Sequence, residues 1–217
     1  MRDHIEFLRQ YRRHFTSTGS IAPSSGFLAR AMTGPLCERN GPRRILEIGP
    51  GTGAVTRRIV RLMGPDDRLD LVELNDVFAG ILRRRFETDR HYRRVAGRSE
   101  LHVCPIQEFA SEAKYDIVIS GLPINNFAIE LVRDVFEAYF RLLAPGGVLS
   151  YFEYMYMRPM RKLVSGRATR ERLNDLDAFL QPLLHQHRIR TSWVFINLPP
   201  AWVQHLRPAA VAEPAIG

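Results

Sequence analysis

The sequence predicts an α/β fold: a mostly parallel sheet with an antiparallel edge and helices on both faces. Three observations lead there. Short apolar runs of strand length alternate with segments whose apolar residues recur every three or four positions, as in βα units. One such run, Ile45-Leu46-Glu47-Ile48, feeds through a glycine turn straight into a helix-type segment. The last two strand candidates have only Leu198-Pro199-Pro200 between them, too little for a crossover, so they should pair antiparallel at one edge. The chain has 217 residues, which suits one domain with a substantial core and leaves no room for a dinucleotide domain plus a separate catalytic domain.

Residues 2–15 read as a basic amphipathic helix. Ile5, Leu8, Tyr11 and Phe15 recur at three- and four-residue spacing beside Phe7, and Arg2, Arg9, Arg12, Arg13 and His14 supply the polar face. Such a helix can lie among bilayer headgroups or cap the protein's own core, and the two roles are compatible if it exchanges between them. Residues 16–25 form a loop of small hydroxyl residues, and Ser24 or Ser25 caps a helix over 26–32 whose Leu28 and Met32 face inward. Gly34-Pro35 and Asn40-Gly41-Pro42 mark residues 33–42 as a linker.

The first strand ends in the glycine turn, and a helix follows over 54–63. A second strand (69–74), a helix (76–86), a third strand (101–104) and a fourth (115–120) come next. A long amphipathic helix over 127–143 stops at Ala144-Pro145-Gly146-Gly147, and the fifth strand covers 148–156. The rest reads as a helix (167–184), two strands (190–197 and 201–206) and a flexible alanine- and proline-rich tail (208–217).

The turn after the first strand carries the first functional signal. Gly49, Gly51, Thr52 and Gly53 let a ligand approach the backbone and aim the following helix's free N–H groups at it. Gly49, Gly51 and Ala54 fit the dinucleotide pattern Gly-x-Gly-x-x-Gly/Ala, which admits a nicotinamide or flavin cofactor. Glu47 points elsewhere: a carboxylate just before the first glycine repels a pyrophosphate and suits a ligand with a cationic end. This Glu-x-Gly-x-Gly-x-Gly resembles the first motif of the class I S-adenosylmethionine-dependent methyltransferases, whose cofactor carries a sulfonium and an α-ammonium. The resemblance implies a Rossmann-like, seven-stranded sheet.

In an open α/β sheet the ligand lies beyond the carboxyl ends of the strands. Glu73, about twenty residues past the glycines, is placed to accept hydrogen bonds from ribose hydroxyls, with Leu74 and Asn75 flanking the adenine. Ile106 and Gln107 follow the third strand, where methyltransferases contact the adenine ring. The fourth strand ends in Ser120-Gly121-Leu122-Pro123-Ile124. Base-methylating relatives carry an Asn or Asp at the place of Gly121 and an aromatic at the place of Ile124, so the polar grip and the stacking ring of a base methylase are both missing.

Charge narrows the partner. The formal net charge is +8, the pI is near 10.1, and all the cationic side chains except Lys114 and Lys162 are arginines or histidines. That balance suits a polyanion, either nucleic acid or an anionic membrane surface. Cys37 and Cys104 lack metal-ligand spacing and read as reduced thiols, so no metal site is expected. No apolar run is long enough to span a membrane, and Arg2, His4, Glu6 and Arg9 break any secretory signal, so a cytoplasmic protein is expected; a monomer is expected too.

Three segments together, Ser-Gly-Leu-Pro at 120–123, Thr-Gly-Ser-Ile-Ala-Pro-Ser-Ser at 18–25 and Asn-Leu-Pro-Pro-Ala-x-Val at 197–203, resemble the bacterial phospholipid N-methyltransferases over residues 1–207. The resemblance implies an N-terminal segment (1–33) that binds anionic lipid and covers the cofactor through Gly19 and Ser20, and one methyltransferase domain (34–207). It further implies methylation of phosphatidylethanolamine towards phosphatidylcholine with S-adenosyl-L-methionine as donor and S-adenosyl-L-homocysteine as product, on a protein peripherally bound to the membrane. Ser120 and Gly121 would orient the amine, Leu122 and Pro123 would line the acceptor end, and Tyr154 would face the headgroup, although aromatic packing explains Tyr151 to Tyr156 as well. Two other readings stay open: an rRNA adenine dimethylase, which shares the Gly-Pro-Gly-Thr-Gly turn, and a non-catalytic lipid-surface binding protein on the same fold.

Overall fold

The computed structural model describes residues 26–155, 166–197 and 199–208. The expected helix over 2–15, Gly19 and Ser20, Tyr156 and the residues after Pro208 lie outside the described residues. Seven strands form one sheet: β1 (Arg44–Ile48), β2 (Arg68–Val72), β3 (Ser99–His102), β4 (Tyr115–Ser120), β5 (Leu143–Tyr154), β6 (Arg188–Val194) and β7 (Ala201–Leu206). Their order is β3-β2-β1-β4-β5-β7-β6. The first five pair in parallel, and β7 runs antiparallel to both β5 and β6. This is the expected Rossmann-like arrangement with its antiparallel edge.

Helices α1 (Gly26–Met32), α2 (Gly34–Glu38), α3 (Thr56–Leu62), α4 (Asp76–Thr88), α5 (Arg90–Val95), α6 (Ile129–Leu142) and α7 (Arg167–His187) surround the sheet. Two of them correct the sequence reading. The supposed linker contains α2, with Pro35 in its first turn, where a missing N–H costs nothing. Helix α5 follows Asp89, whose side chain accepts the His91 N–H at 2.8 Å and serves as its cap. Strand β5 begins at Leu143 rather than Val148, because the Pro-Gly-Gly segment passes through a register shift opposite Tyr115 instead of ending the pairing. Helix α7 runs through Pro182 to His187, and β6 correspondingly starts and ends earlier than expected, leaving 195–197 as a turn.

Alternation along the strands divides the core in two. Ile45, Ile117, Ile119 and Phe152 pack with Leu28, Met32, Ile59 and Val95 from α1, α3 and α5. Leu46, Ile48, Val118 and Tyr151 pack on the other face with Val132, Val135, Phe136 and Tyr139 of α6 and Leu176 and Leu180 of α7. Phe136 centres this second cluster, with ring centroids 5.4 Å from Tyr139 and Tyr151 and 5.8 Å from Phe179. Each such side chain contributes about 1.5–3 kcal/mol through removal from water.

A buried ion pair fixes the entry to β1. Asp67 accepts the backbone N–H groups of Arg43 and Gly64 at 2.8 Å each, and the Arg43 guanidinium bonds Asp67 together with the carbonyls of Leu36 and Leu62. Strand β1 then lies between β2 and β4, so the chain leaves it to one side and returns on the other. The connections after β1 and β4 diverge there, and that divergence opens a crevice.

Candidate functional site

Backbone hydrogen bonds beyond the regular ladder tie the strand ends together. The Gly49 N–H donates to Val72 O (2.9 Å), Gly121 N–H to Ile48 O (2.8 Å), and Glu73 N–H to His102 O (3.0 Å). Gly49 and Gly51 have φ of 65° and 56°, left-handed values that glycine adopts without a Cβ clash. A Cβ at Gly49 would also come within 2.7 Å of Leu122 Cδ2, so that side chain would have to shift.

Glu73 joins the turn to β2. Its Oε2 accepts the Gly51 N–H at 2.9 Å and its Oε1 accepts the Asn75 N–H at 2.8 Å. Burial raises the Glu73 pKa and outweighs these N–H bonds, which lower it. Asn75 in turn caps α4, its Oδ1 accepting the Val77 N–H at 2.9 Å.

Around this corner lies a cavity of about 760 Å³, counting its open mouth. Of the residues expected at a site, it brings together Gly49, Gly51, Glu73, Leu74, Asn75, Ile106, Gln107, Gly121, Leu122 and Pro123. Phe78, Cys104, Pro105, Phe127 and Val135 complete the wall together with Ile48 and Val72. Sequence reasoning did not assign Phe78, Phe127 or Val135 to the site, because on an amphipathic helix such residues look like core. Phe78, three residues after the cap Asn75, was the one with a positional signal.

Other expected residues lie elsewhere. Glu47 is 2% exposed and points, by strand alternation, to the α3 side of the sheet. Its pKa is pushed up to about 8 by burial, with the Glu73 charge adding to the rise and Thr56 opposing it. Its Oε2 has no hydrogen-bond partner among the described residues. Thr52 is exposed, and Gly53 is packed under α4 and α5 with its carbonyl accepting the Tyr92 hydroxyl at 3.1 Å. Ser120 is fully buried; its Oγ meets the Tyr139 hydroxyl at 2.5 Å and accepts the Leu122 N–H at 3.2 Å, so the side chain shapes the turn from below. Tyr154 is half-buried and packs edge-on against Phe152 at 5.2 Å, on the α1 side of the sheet. Glu153 occupies the opposite face, as alternation required.

The chemistry on offer is narrow. Among the described lining residues Glu73 is the one carboxylate, and burial raises the Cys104 thiol above its ordinary pKa. An apolar slot with one carboxylate at the glycine turn suits a nucleoside, which brings sugar hydroxyls to an acceptor and a planar ring to an apolar wall. Asp70, Glu100 and His102 also cluster within 4.8 Å, but Asp70 is already bonded to the Tyr115 hydroxyl at 2.7 Å and lies 3.4 Å from His102 Nε2. Among the described residues no helix is long and apolar enough to cross a membrane.

Comparison with known proteins gives this geometry its context. Residues 45–147 match a family described as a methyltransferase domain. The chain is 33% identical over 165 residues to the ornithine lipid N-methyltransferase of Singulisphaera acidiphila, an alignment covering 75% of this chain and 85% of that protein. Among solved structures, the glycopeptide N-methyltransferase MtfA complexed with sinefungin superposes with a TM-score of 0.65 at 16% identity, covering 90% of this chain and 91% of MtfA. An O-methyltransferase from Bacillus cereus solved with S-adenosylhomocysteine gives a TM-score of 0.62 at 16% identity, covering 94% and 90%.

Proposed function

Because the chain belongs to the class I S-adenosylmethionine-dependent methyltransferases, we propose that it methylates the amine of a polar-lipid headgroup, phosphatidylethanolamine foremost, at an anionic membrane surface. The observation that carries this reading is the match to a lipid N-methyltransferase across three quarters of the chain. The same match favours a second substrate, the free amine of an ornithine lipid. Both acceptors present a primary ammonium beside acyl chains, and the apolar Leu122–Pro123 end of the cavity suits either.

S-adenosyl-L-methionine supplies an electrophilic methyl carbon on sulfur. In this reading Glu73 holds the ribose, Gly49 and Gly51 let the donor approach the backbone, and Ile106 and Gln107 flank the adenine. The backbone carbonyls of Ser120 and Gly121 orient the acceptor nitrogen. An alkylammonium loses its proton near pH ~10 in water, and the apolar wall of Leu122, Pro123 and Phe127 lowers that value by desolvation. Direct displacement then needs alignment rather than a nucleophilic side chain. Tyr154, packed on Phe152 outside the cavity wall, is given no part in this step.

Gly121 also separates this reading from adenine methylation. A Cβ at 121 would stand 2.6 Å from Gly49 O, so the backbone as arranged has no room for an Asn or Asp there. The test is transfer of labelled methyl from S-adenosylmethionine to vesicles containing phosphatidylethanolamine or ornithine lipid, with ribosomal RNA as a parallel acceptor. Labelled lipid is expected. Label in RNA alone overturns the proposal, and cofactor binding with no transfer to any acceptor leaves a non-catalytic lipid-surface protein.

A further inference from the structure

Four large apolar side chains, Ile189, Trp193, Phe195 and Ile196, stand exposed along β6 and the turn after it, the last three at 59%, 64% and 71%. They are organised rather than scattered. The Trp193 and Phe195 rings stack with centroids 5.7 Å apart and planes at 26°, and Trp193 meets Trp202 edge-on at 5.7 Å across the β6–β7 pair. Their position matters. Strands β5 and β6 are both antiparallel to β7, so they run the same way, and the tip after Val194 lies at the end of the sheet where the cavity opens. The chain as a whole carries a formal net charge of +8; the hairpin's own arginines, Arg188 and Arg190, sit at its opposite end, where Arg190 pairs with Glu38.

We propose that the Trp193–Phe195–Ile196 tip is a docking surface for a bilayer containing anionic lipid, seating the protein so that the cavity mouth faces the headgroups. This rests on the lipid-headgroup reading above. Indole and phenyl rings favour the membrane–water boundary, and the protein's net charge of +8 draws it towards anionic lipid. A second copy of the chain is the poorer occupant, because a twofold contact would bring together two molecules that each carry a net charge of +8. A lipid seated there presents its amine to the Gly121–Pro123 end without leaving the membrane.

The chain's two tryptophans are both in this hairpin, so intrinsic fluorescence reports on it alone. Full-length protein is mixed with phosphatidylcholine vesicles with and without phosphatidylglycerol. The expected result is a blue shift and quenching by brominated acyl chains with the anionic vesicles. The Trp193→Ser/Phe195→Ser/Ile196→Ser variant should co-sediment about tenfold less well, with affinity for S-adenosylhomocysteine unchanged. The Phe195→Ser/Ile196→Ser pair, confined to the turn, replaces it should the triple variant not fold. Three results overturn the proposal: unchanged emission on vesicles that the protein binds, no vesicle binding at all, or tryptophans already shielded from acrylamide without lipid by self-association or by another part of the chain. Methyl transfer to detergent-dispersed phosphatidylethanolamine separates the two readings. Transfer without a vesicle response removes only the docking surface, and a vesicle response with no transfer to any lipid removes only the substrate.

Discussion

Gly121 and Gly49 touch so closely that a Cβ on the first would stand 2.6 Å from the carbonyl oxygen of the second. The obstructing atom is backbone and is held in place, since the Gly121 N–H also donates to Ile48 O at 2.8 Å. Gly121→Ala therefore forces the β4 end away from the cofactor turn, at a cost of about 1–3 kcal/mol for overpacking. A lower urea midpoint and weaker binding of S-adenosylhomocysteine are expected together. Gly121→Asn should show the same losses and no gain of activity on adenine.

Glu73→Ala removes the carboxylate proposed to hold the ribose and leaves the Gly51 and Asn75 N–H groups without their acceptor. Affinity for S-adenosylhomocysteine, measured by calorimetry, should fall by about 1–3 kcal/mol. Glu73→Gln should fall between wild type and alanine, since an amide nitrogen accepts nothing. An unchanged alanine variant takes Glu73 out of the site.

Glu47 makes the cofactor-free protein pH-sensitive. Its folded pKa, raised to about 8, exceeds the ordinary value of 4.5, so between these values the folded state holds the extra proton. Stability then falls as pH rises through that window, by on the order of a few kcal/mol in all. The raised Glu73 pKa acts in the same direction. Thermal unfolding from pH 5 to pH 8 should show Tm declining in wild type and declining less in Glu47→Gln. Parallel curves would mean that Glu47 is ionised in the fold at every pH tested.

Asp67 acts in the opposite direction. Burial would raise its pKa, but the hydrogen bonds from Arg43 and the Gly64 and Arg43 N–H groups more than offset this and hold it below 3.8. Its stabilisation is present above about pH 4 and is lost as pH falls through the lower, folded value. Asp67→Ala leaves the buried Arg43 guanidinium without its carboxylate and should cost about 3–5 kcal/mol at neutral pH, read from chemical denaturation. Loss at acid pH alone would refute the pairing.

The sequence was most readable where local rules govern. Ile45 to Ile48, Tyr115 to Ser120 and the Leu198–Pro200 gap announced strands and an antiparallel edge, because period and loop length are properties of neighbouring residues. Glu73 and Gly121 gather around one cavity because strand ends in such a sheet converge. Helix α5, Arg-His-Tyr-Arg-Arg-Val, is too short for its period to show; beyond its Asp89 cap it is held by the burial of Tyr92 and Val95 and by the Tyr92 contact with Gly53. The burial of Glu47, the Ser120–Tyr139 hydroxyl pair and the Gly49–Gly121 clearance were hidden because each depends on segments brought together from different parts of the chain.

Strand β7 comes last among the described strands, yet it sits inside the sheet, bonded to β5 on one side and β6 on the other. During synthesis β6 therefore emerges with no neighbour to pair with, and its aromatic tip waits in solvent until Ala201–Leu206 clears the ribosome. A chain stopped at Pro200 would forfeit two strands rather than one, and would leave the flank of β5 bare for chaperones or for other nascent chains to seize.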